Sequence, residues 1–381
     1  MRPSRAALRT RGLDGTARTA SFAAMTDANP AAEAFTGSKP VDDRLRFDEA
    51  GLERWMAQTI PDFAGPLTVS QFKGGQSNPT YLLQTPGRDY VLRRKPPGVL
   101  LPSAHAVDRE FRVISALHKA GYPVARPWGL CEDPEVIGTA FYVMDRVEGR
   151  ILWNPGLPDQ SPAERRAIYE AQVDALADLH SFEPEAIGLG DYGRPGNYFA
   201  RQVDRWTKQY RASETETIPA MDKLIEWLPR GLPEDGPARI VHGDFRLDNM
   251  ILHPDRAEVK AVLDWELSTL GDPLADISYF LIAWVIPSTE RNGLAGLDLQ
   301  ALGIPTMDEI IARYCERTGR EGLPQLDWLL SYNLFRLAAI CQGIGGRVRD
   351  GTAASPHAAA MAARITPLSG AAWMFAQKAG A

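Results

Sequence analysis

His242-Gly243-Asp244-Phe245-Arg246-Leu247-Asp248-Asn249 decides the reading of this chain, together with Asp264, which follows Asn249 by 15 residues at the end of an apolar run. Residues 239–241 and 259–263 read as two short strands flanking this loop, with Asp255-Arg256 as the turn between loop and second strand. The loop supplies a carboxylate, Asp244, and a carboxamide, Asn249; the second strand delivers a further carboxylate, Asp264. Isolated, an Asp-Asn spacing means little, because both residues are common in turns. A His-x-Asp-x-x-x-x-Asn loop between strands, closed by another Asp, is far more specific. Its bland alternative is a structural loop in which His242 and Asp244 only bond to the backbone.

These residue types suit one chemistry. Mg²⁺ takes hard oxygen ligands, typically one or two carboxylates with an amide oxygen and water. Phosphoryl transfer from ATP needs that ion on the phosphates, and a carboxylate beside the acceptor hydroxyl to orient it and take its proton.

Working outward, residues 48–60 carry apolar side chains at helical spacing. Residues 67–73 and 78–84 read as strands around the turn Gly74-Gly75-Gln76-Ser77, and residues 90–93 as a third strand. A helix over 104–119 and strands near 128–131 and 140–144 complete a five-stranded antiparallel pattern with one inserted helix. Beyond residue 147 the character is mainly helical. Ser161-Pro162-Ala163-Glu164 and Thr306 with Glu309 are capping boxes that start helices. Further helices are expected over 198–210, 218–227, 274–285, 307–317, 328–343 and 356–378. The fold class is therefore α+β and bilobal: a small β-rich lobe over 41–146 and a larger helical lobe over 147–381. Residues 1–40 are polar and rich in small residues, and are expected to be a disordered tail. Their first 24 residues hold five arginines against Asp14, a transit-peptide composition. The plainer alternative is upstream sequence ahead of a start at Met25.

Composition excludes several classes. A formal net charge of −6 argues against nucleic acid or an anionic membrane as partner. The most apolar run, residues 279–286, is far short of the ~20 residues a spanning helix needs. Cys131, Cys315 and Cys341 are odd in number and widely spaced, so they suggest buried thiols in a reducing cytoplasm.

From about Phe72 onward the chain resembles the aminoglycoside phosphotransferase and choline kinase-like branch of the protein-kinase-like fold. That resemblance implies Asp244 as catalytic base, Asn249 and Asp264 as Mg²⁺ ligands, His242 as the residue that holds the loop, and Asp276, in Gly271-Asp272-Pro273-Leu274-Ala275-Asp276, as its hydrogen-bonded support. It implies that ATP sits on the small lobe. Gly74, Gly75, Ser77 and Asn78 would cover phosphates, departing from the Gly-x-Gly-x-x-Gly pattern. Arg93 would pair with them in place of lysine, or else Lys95 two residues on. Glu110 would pair with that cation, and the hinge around Met144 and Arg146 would meet adenine through its backbone. Protein kinases follow this segment with a long activation segment; here a helix follows almost at once, which implies a small-molecule substrate. His180 reads as a helix-terminal histidine stabilising the last carbonyls. His105, His118, His253 and His357 show no ligand spacing.

Val91-Leu92-Arg93-Arg94-Lys95-Pro96-Pro97-Gly98, Ser103-Ala104-His105-Ala106-Val107-Asp108-Arg109-Glu110, Asp264-Trp265-Glu266-Leu267-Ser268-Thr269-Leu270-Gly271-Asp272-Pro273 and Phe335-Arg336 are similar to one subgroup, the kinase domain fused to acyl-CoA dehydrogenases in larger relatives. That similarity implies a hydroxyacyl-CoA substrate. Arg336, Arg347 and Arg349 could then meet CoA phosphates, or simply be helix-surface arginines. An aminoglycoside or choline-like kinase is the first alternative, and a nucleotide-binding pseudokinase scaffold the second.

Overall fold

Alternation organises the small lobe. A computed structural model describes residues 36–73, 78–98, 105–290, 292–352 and 358–381. Its first sheet contains β1 (Ser38–Lys39), β2 (Thr68–Phe72), β3 (Thr80–Gln84), β4 (Asp89–Arg94), β5 (Pro127–Cys131) and β6 (Phe141–Asp145), all antiparallel, in the order β1-β2-β3-β4-β6-β5. Tyr81 and Leu83, Tyr90 and Leu92, and Phe141 and Val143 face one side, where they bury Leu52 and Met56 of α1 (Glu49–Thr59). The intervening residues face the other side, against α2 (Val107–Lys119), whose Val107, Ile114 and Leu117 join the core of the helical lobe. Period two thus puts Arg93 on the α2 face, directly opposite Tyr142 in the antiparallel register. The sheet has six strands where the pattern indicates five. Ser38–Lys39, inside the stretch read as tail, pairs with Gln71 and Phe72; two residues are too few to show a period.

The helical lobe comprises α3 (Pro162–Ser181), α4 (Tyr198–Ser213), α5 (Pro219–Trp227), α6 (Pro273–Leu281), α7 (Met307–Thr318), α8 (Leu326–Arg349) and α9 (Ile365–Lys378). At α7 the capping box is reciprocal, as its sequence indicates; at α3 Ser161 caps Glu164 N, without the return bond. Every residue of α6 is buried, which makes it the central helix of the lobe. The helix expected over 328–343 runs on to Arg349. Its glycines serve packing rather than termination: a Cβ on Gly346 would lie 3.2 Å from Cβ of Ser213. The helix expected over 356–378, whose first two residues lie outside the described ones, instead breaks into a short helical turn at Ala358–Ala362 and α9. Pro367 cannot donate to the carbonyl of residue 363, so it sits in the first turn of a new helix.

Four short strands carry the loop of interest: β7 (Arg239–Val241), β8 (Met250–Leu252), β9 (Val259–Val262) and β10 (Thr269–Gly271). The two strands read from the sequence do not pair with each other. β7 pairs with β10, and β8 with β9. The loop between β7 and β8 is therefore held by two small ladders, and the turn after β9 falls beside it.

Candidate active site

The loop is built from the backbone outward. Gly243 has φ +85°, a conformation that favours glycine, and this turns two successive N–H groups toward one carboxylate. The amides of His242 and Gly243 donate to Asp276 at 2.5 and 2.8 Å. Asp276 stands in the first turn of α6 and is 1% exposed. Burial pushes its carboxyl up, but His180, His242 and the Gly243 amide outweigh that and hold it below the ordinary range. His180 Nε2 lies 3.5 Å from Asp276, and its Nδ1 lies 2.7 Å from the Tyr314 hydroxyl. The expected role for His180 is thus corrected: His180 is 5% exposed, so the ring turns inward to Asp276 rather than capping carbonyls.

His242 bridges the loop to the strand behind it. Its Nε2 lies 2.8 Å from the carbonyl of Leu263, which can only accept, and its Nδ1 lies 3.1 Å from the amide of Asp244, which can only donate. Those partners fix the neutral tautomer with the proton on Nε2. Leu263 N in turn donates to Asn249 O at 2.8 Å, which ties the end of β9 to the loop.

Asp244 is surrounded by donors. The Tyr279 hydroxyl donates to Oδ1 at 2.5 Å, and Asn249 Nδ2 donates to Oδ2 at 2.9 Å. Arg246 Nε is 3.2 Å from each oxygen, and its Nη1 is 3.0 Å from Asp248. Burial raises the Asp244 carboxyl, and Arg246, Tyr279 and Arg336 more than reverse this, so it stays below its ordinary value.

On the α2 face of the sheet, Arg93 Nε lies 2.9 Å from Glu110 Oε2, as an ion pair too bent for a hydrogen bond. Glu110 also accepts from Asn78 Nδ2 at 2.8 Å and from the Tyr142 hydroxyl at 3.1 Å. Burial dominates here and pushes Glu110 up despite Arg93. Arg93 Nη2 reaches across the lobes to Asp264 Oδ1 at 2.7 Å and to Glu266 at 3.6 Å. Asp264 has φ +65°, which Asp tolerates better than most residues and which turns the chain sharply out of β9. Lys95 pairs with Asp108 at 3.7 Å instead.

Asp244, Asn249, Asp264, His242, Asp276, Arg93, Glu110 and Asn78 thus form one connected constellation. Asn78 is fully buried, with its amide committed to Glu110 and to His105 at 2.9 Å. Gly74, Gly75 and Ser77 lie outside the described residues. Met144 is half-buried where β6 leaves the sheet, and Arg146 is exposed and paired with Asp89. Arg336, read as a CoA-phosphate contact or a surface arginine, is 6% exposed; it donates to the Gly243 carbonyl, with its guanidinium over the Trp206 and Tyr279 rings, and it lines the cavity beside Asp244. The reason is that α8 is buried on most of its circumference. Arg347 is exposed, eleven residues and so about 16 Å further along the helix, and the two do not come together. Arg246, Tyr279 and Glu266 belong to the constellation but were not picked out from the sequence. Arg246 carried a signal, a cation two residues from Asp244; Tyr279, inside the most apolar run, carried none.

The donor set suits Mg²⁺. Asn249 spends its Nδ2 on Asp244, which leaves the opposite side of the amide, an oxygen, for an ion, and Asp264 adds a carboxylate. Among the described residues no group of three or more His, Cys, Asp or Glu could hold a metal unaided. Two protein oxygens completed by phosphate and water are the usual Mg²⁺ arrangement.

Asp244 also lines a cavity of about 280 Å³. Its walls are largely apolar, from Trp153, Leu267, Phe280, Ile286, Leu337 and Ile340. The two acids on them, Asp244 and Asp248, both pair with Arg246. A larger hollow of about 790 Å³ lies elsewhere, among Trp227, Gln325 and Ala381, and includes none of these residues. Among the described residues no helix is long and apolar enough to cross a membrane, and Cys131, Cys315 and Cys341 are buried free thiols.

Comparison with known proteins agrees with this geometry. The family described as "Phosphotransferase enzyme family" matches residues 68–328. The mouse (Mus musculus) acyl-CoA dehydrogenase family member 10 is 44% identical over 346 residues, covering 90% of this chain and 32% of its own length. The chain spans less than half the length of the acyl-CoA dehydrogenase family members it matches. A solved protein of Ralstonia eutropha JMP134, named for the aminoglycoside phosphotransferases, is 50% identical with a TM-score of 0.81, covering 87% of this chain and 99% of that one. A spectinomycin phosphotransferase solved with ADP and spectinomycin shares the fold at 12% identity, with a TM-score of 0.58 over 89% of this chain and 100% of its own. With the family's match running through both lobes and across the loop at Asp244, the chain belongs to the phosphotransferase enzyme family and has its kinase-like fold.

Proposed function

We propose that this phosphotransferase moves the γ-phosphoryl group of ATP, with Mg²⁺, to a hydroxyl carried on an apolar chain, a hydroxyacyl-CoA being the first substrate class to test. The observation that carries this reading is the apolar cavity beside Asp244. At about 280 Å³ it falls below the ~300–1,000 Å³ of pockets that enclose drug-sized ligands. A polycationic acceptor would want unpaired carboxylates on the walls, and both wall acids are paired to Arg246. The names of the acyl-CoA dehydrogenase relatives support the same direction.

Asp244 acts as base: it orients the acceptor hydroxyl and takes its proton as the oxygen bonds to phosphorus. A carboxylate held below its ordinary range is a weak base, which suits a loose transition state in which the hydroxyl gives up its proton late. Arg93, fixed by Glu110, presents a permanent cation to the nucleotide phosphates. His242 and Asp276 hold the loop. Mg²⁺, held by Asn249 and Asp264, would neutralise charge on the phosphates. Phosphoryl transfer assayed against hydroxyacyl-CoAs, aminoglycosides and choline-like alcohols tests the reading. Transfer to hydroxyacyl-CoAs supports it; transfer only to polycationic acceptors would replace it.

A further inference from the structure

Asp244 is held from two sides, and only one side belongs to its own loop. A carboxylate offers about four lone-pair positions. Asn249 Nδ2 takes one on Oδ2, Arg246 Nε sits 3.2 Å from both oxygens, and the Tyr279 hydroxyl takes one on Oδ1 at 2.5 Å. Asn249 and Arg246 move with the loop. Tyr279 comes from α6, the wholly buried central helix, whose neighbouring Ser278 is pinned by Asn333 Nδ2 at 2.8 Å. Below the Tyr279 ring lies the Arg336 guanidinium, 5.0 Å from its centroid, and the same guanidinium donates to the carbonyl of Gly243. The phenol is thus a fixed point against which the carboxylate is set.

We infer that Tyr279 is a positioning residue for phosphoryl transfer: by donating to Oδ1 from the rigid helix it fixes the rotation of the Asp244 carboxylate and leaves one lone pair turned to the cavity for the acceptor hydroxyl. This rests on the phosphotransfer reading above. Tyr279 and Asp244 both line the cavity, so the phenol and the carboxylate it holds face the same space. Geometry sets the direction of the bond: a carboxylate flanked by the Arg246 guanidinium accepts, so the Tyr279 hydroxyl at 2.5 Å donates and does not compete for the acceptor's proton. Reaction geometry is unforgiving of small misplacements: about 1 Å can cost ~10²-fold.

The test is Tyr279→Phe in the full chain, with Mg²⁺–ATP and the acceptor panel. ADP release, phosphorylated acceptor and thermal melting are measured alongside wild type. The expected result is a ~10- to 100-fold fall in kcat for the acceptor, an unchanged KM for Mg²⁺–ATP, near-wild-type melting, and a smaller share of the consumed ATP ending on the acceptor rather than on water. Wild-type kcat in the variant overturns the inference and leaves the kinase reading intact. So does a loss shared by the ATP KM and the melting midpoint, which would mark Tyr279 as merely structural. A wild-type protein that transfers phosphate to no acceptor, nor to water, overturns the kinase reading first, and the inference with it.

Discussion

Arg93 of the small lobe and Asp264 of the large lobe meet at 2.7 Å, so the cation expected at the phosphates and a carboxylate expected on the metal hold the two lobes together. The same guanidinium holds Glu110, which only a fork with several donors can do at once. Replacing Arg93 with Met leaves Glu110 buried without its counter-charge, held only by the neutral Asn78 and Tyr142. That should cost about 3–5 kcal/mol of stability, read by denaturant unfolding. Arg93→Lys keeps a charge but cannot span both carboxylates. It should fold, and should bind Mg²⁺–ATP more weakly by ~10- to 100-fold, the worth of one charged hydrogen bond. Wild-type affinity in Arg93→Lys would show that the fork is not needed.

Asp264→Ala should weaken binding of Mg²⁺–ATP while sparing that of metal-free ATP. The loss should be at least ~10-fold on the same scale. Calorimetry with and without Mg²⁺ separates the two. Equal losses for both forms would move Asp264 from the metal to a general structural role.

Asp276 predicts a pH dependence with a definite sign. Its carboxyl is held below the ordinary value in the folded protein. Its contribution is therefore complete above the unfolded-state pKa of ~3.9 and drains away as pH falls through the lower folded value. Asp276→Asn should lose ~1–3 kcal/mol near neutral pH, and its melting midpoint should fall less steeply than wild type's below about pH 4. Parallel melting curves for the two proteins in that range would contradict this.

Ile340 lines the cavity beside Asp244. Ile340→Trp should fill part of it, raising the acceptor KM and leaving the Mg²⁺–ATP KM unchanged. Steady-state kinetics with each substrate varied in turn check this. An unchanged acceptor KM would mean that the acceptor chain lies elsewhere.

How far the sequence could be read depended on whether a residue's role shows in its type and spacing. His242, Asp244, Asn249 and Asp264 are polar residues at fixed intervals between apolar strands, and the constellation they form could be foreseen. Thr306 and Glu309 gave a capping box that is formed at both bonds. Glu110 stands in the apolar stripe of α2, where a charge without a partner would be costly. The choice between Arg93 and Lys95 stayed open, because period two puts both on one face; β4 ends at Arg94, before Lys95. Tyr279 was hidden among residues that all look like core. Arg336 left two readings open, a phosphate contact or a surface arginine, because α8, buried on most of its circumference, offers no polar face against which to judge it; it is buried and lines the cavity beside Asp244. β8 and β10 follow directly on Asn249 and Ser268, so neither is set apart in the sequence as a run of its own.

The most direct measurement is transfer of the γ-phosphate from Mg²⁺–ATP to a hydroxyacyl-CoA by wild type and by Asp244→Ala. Asp244 should be worth at least ~10²-fold in kcat, with ATP affinity nearly intact. Transfer that falls by that factor in the variant would assign the base. Undiminished transfer in Asp244→Ala, or ATP binding by wild type with no transfer to any hydroxyl offered, would contradict it.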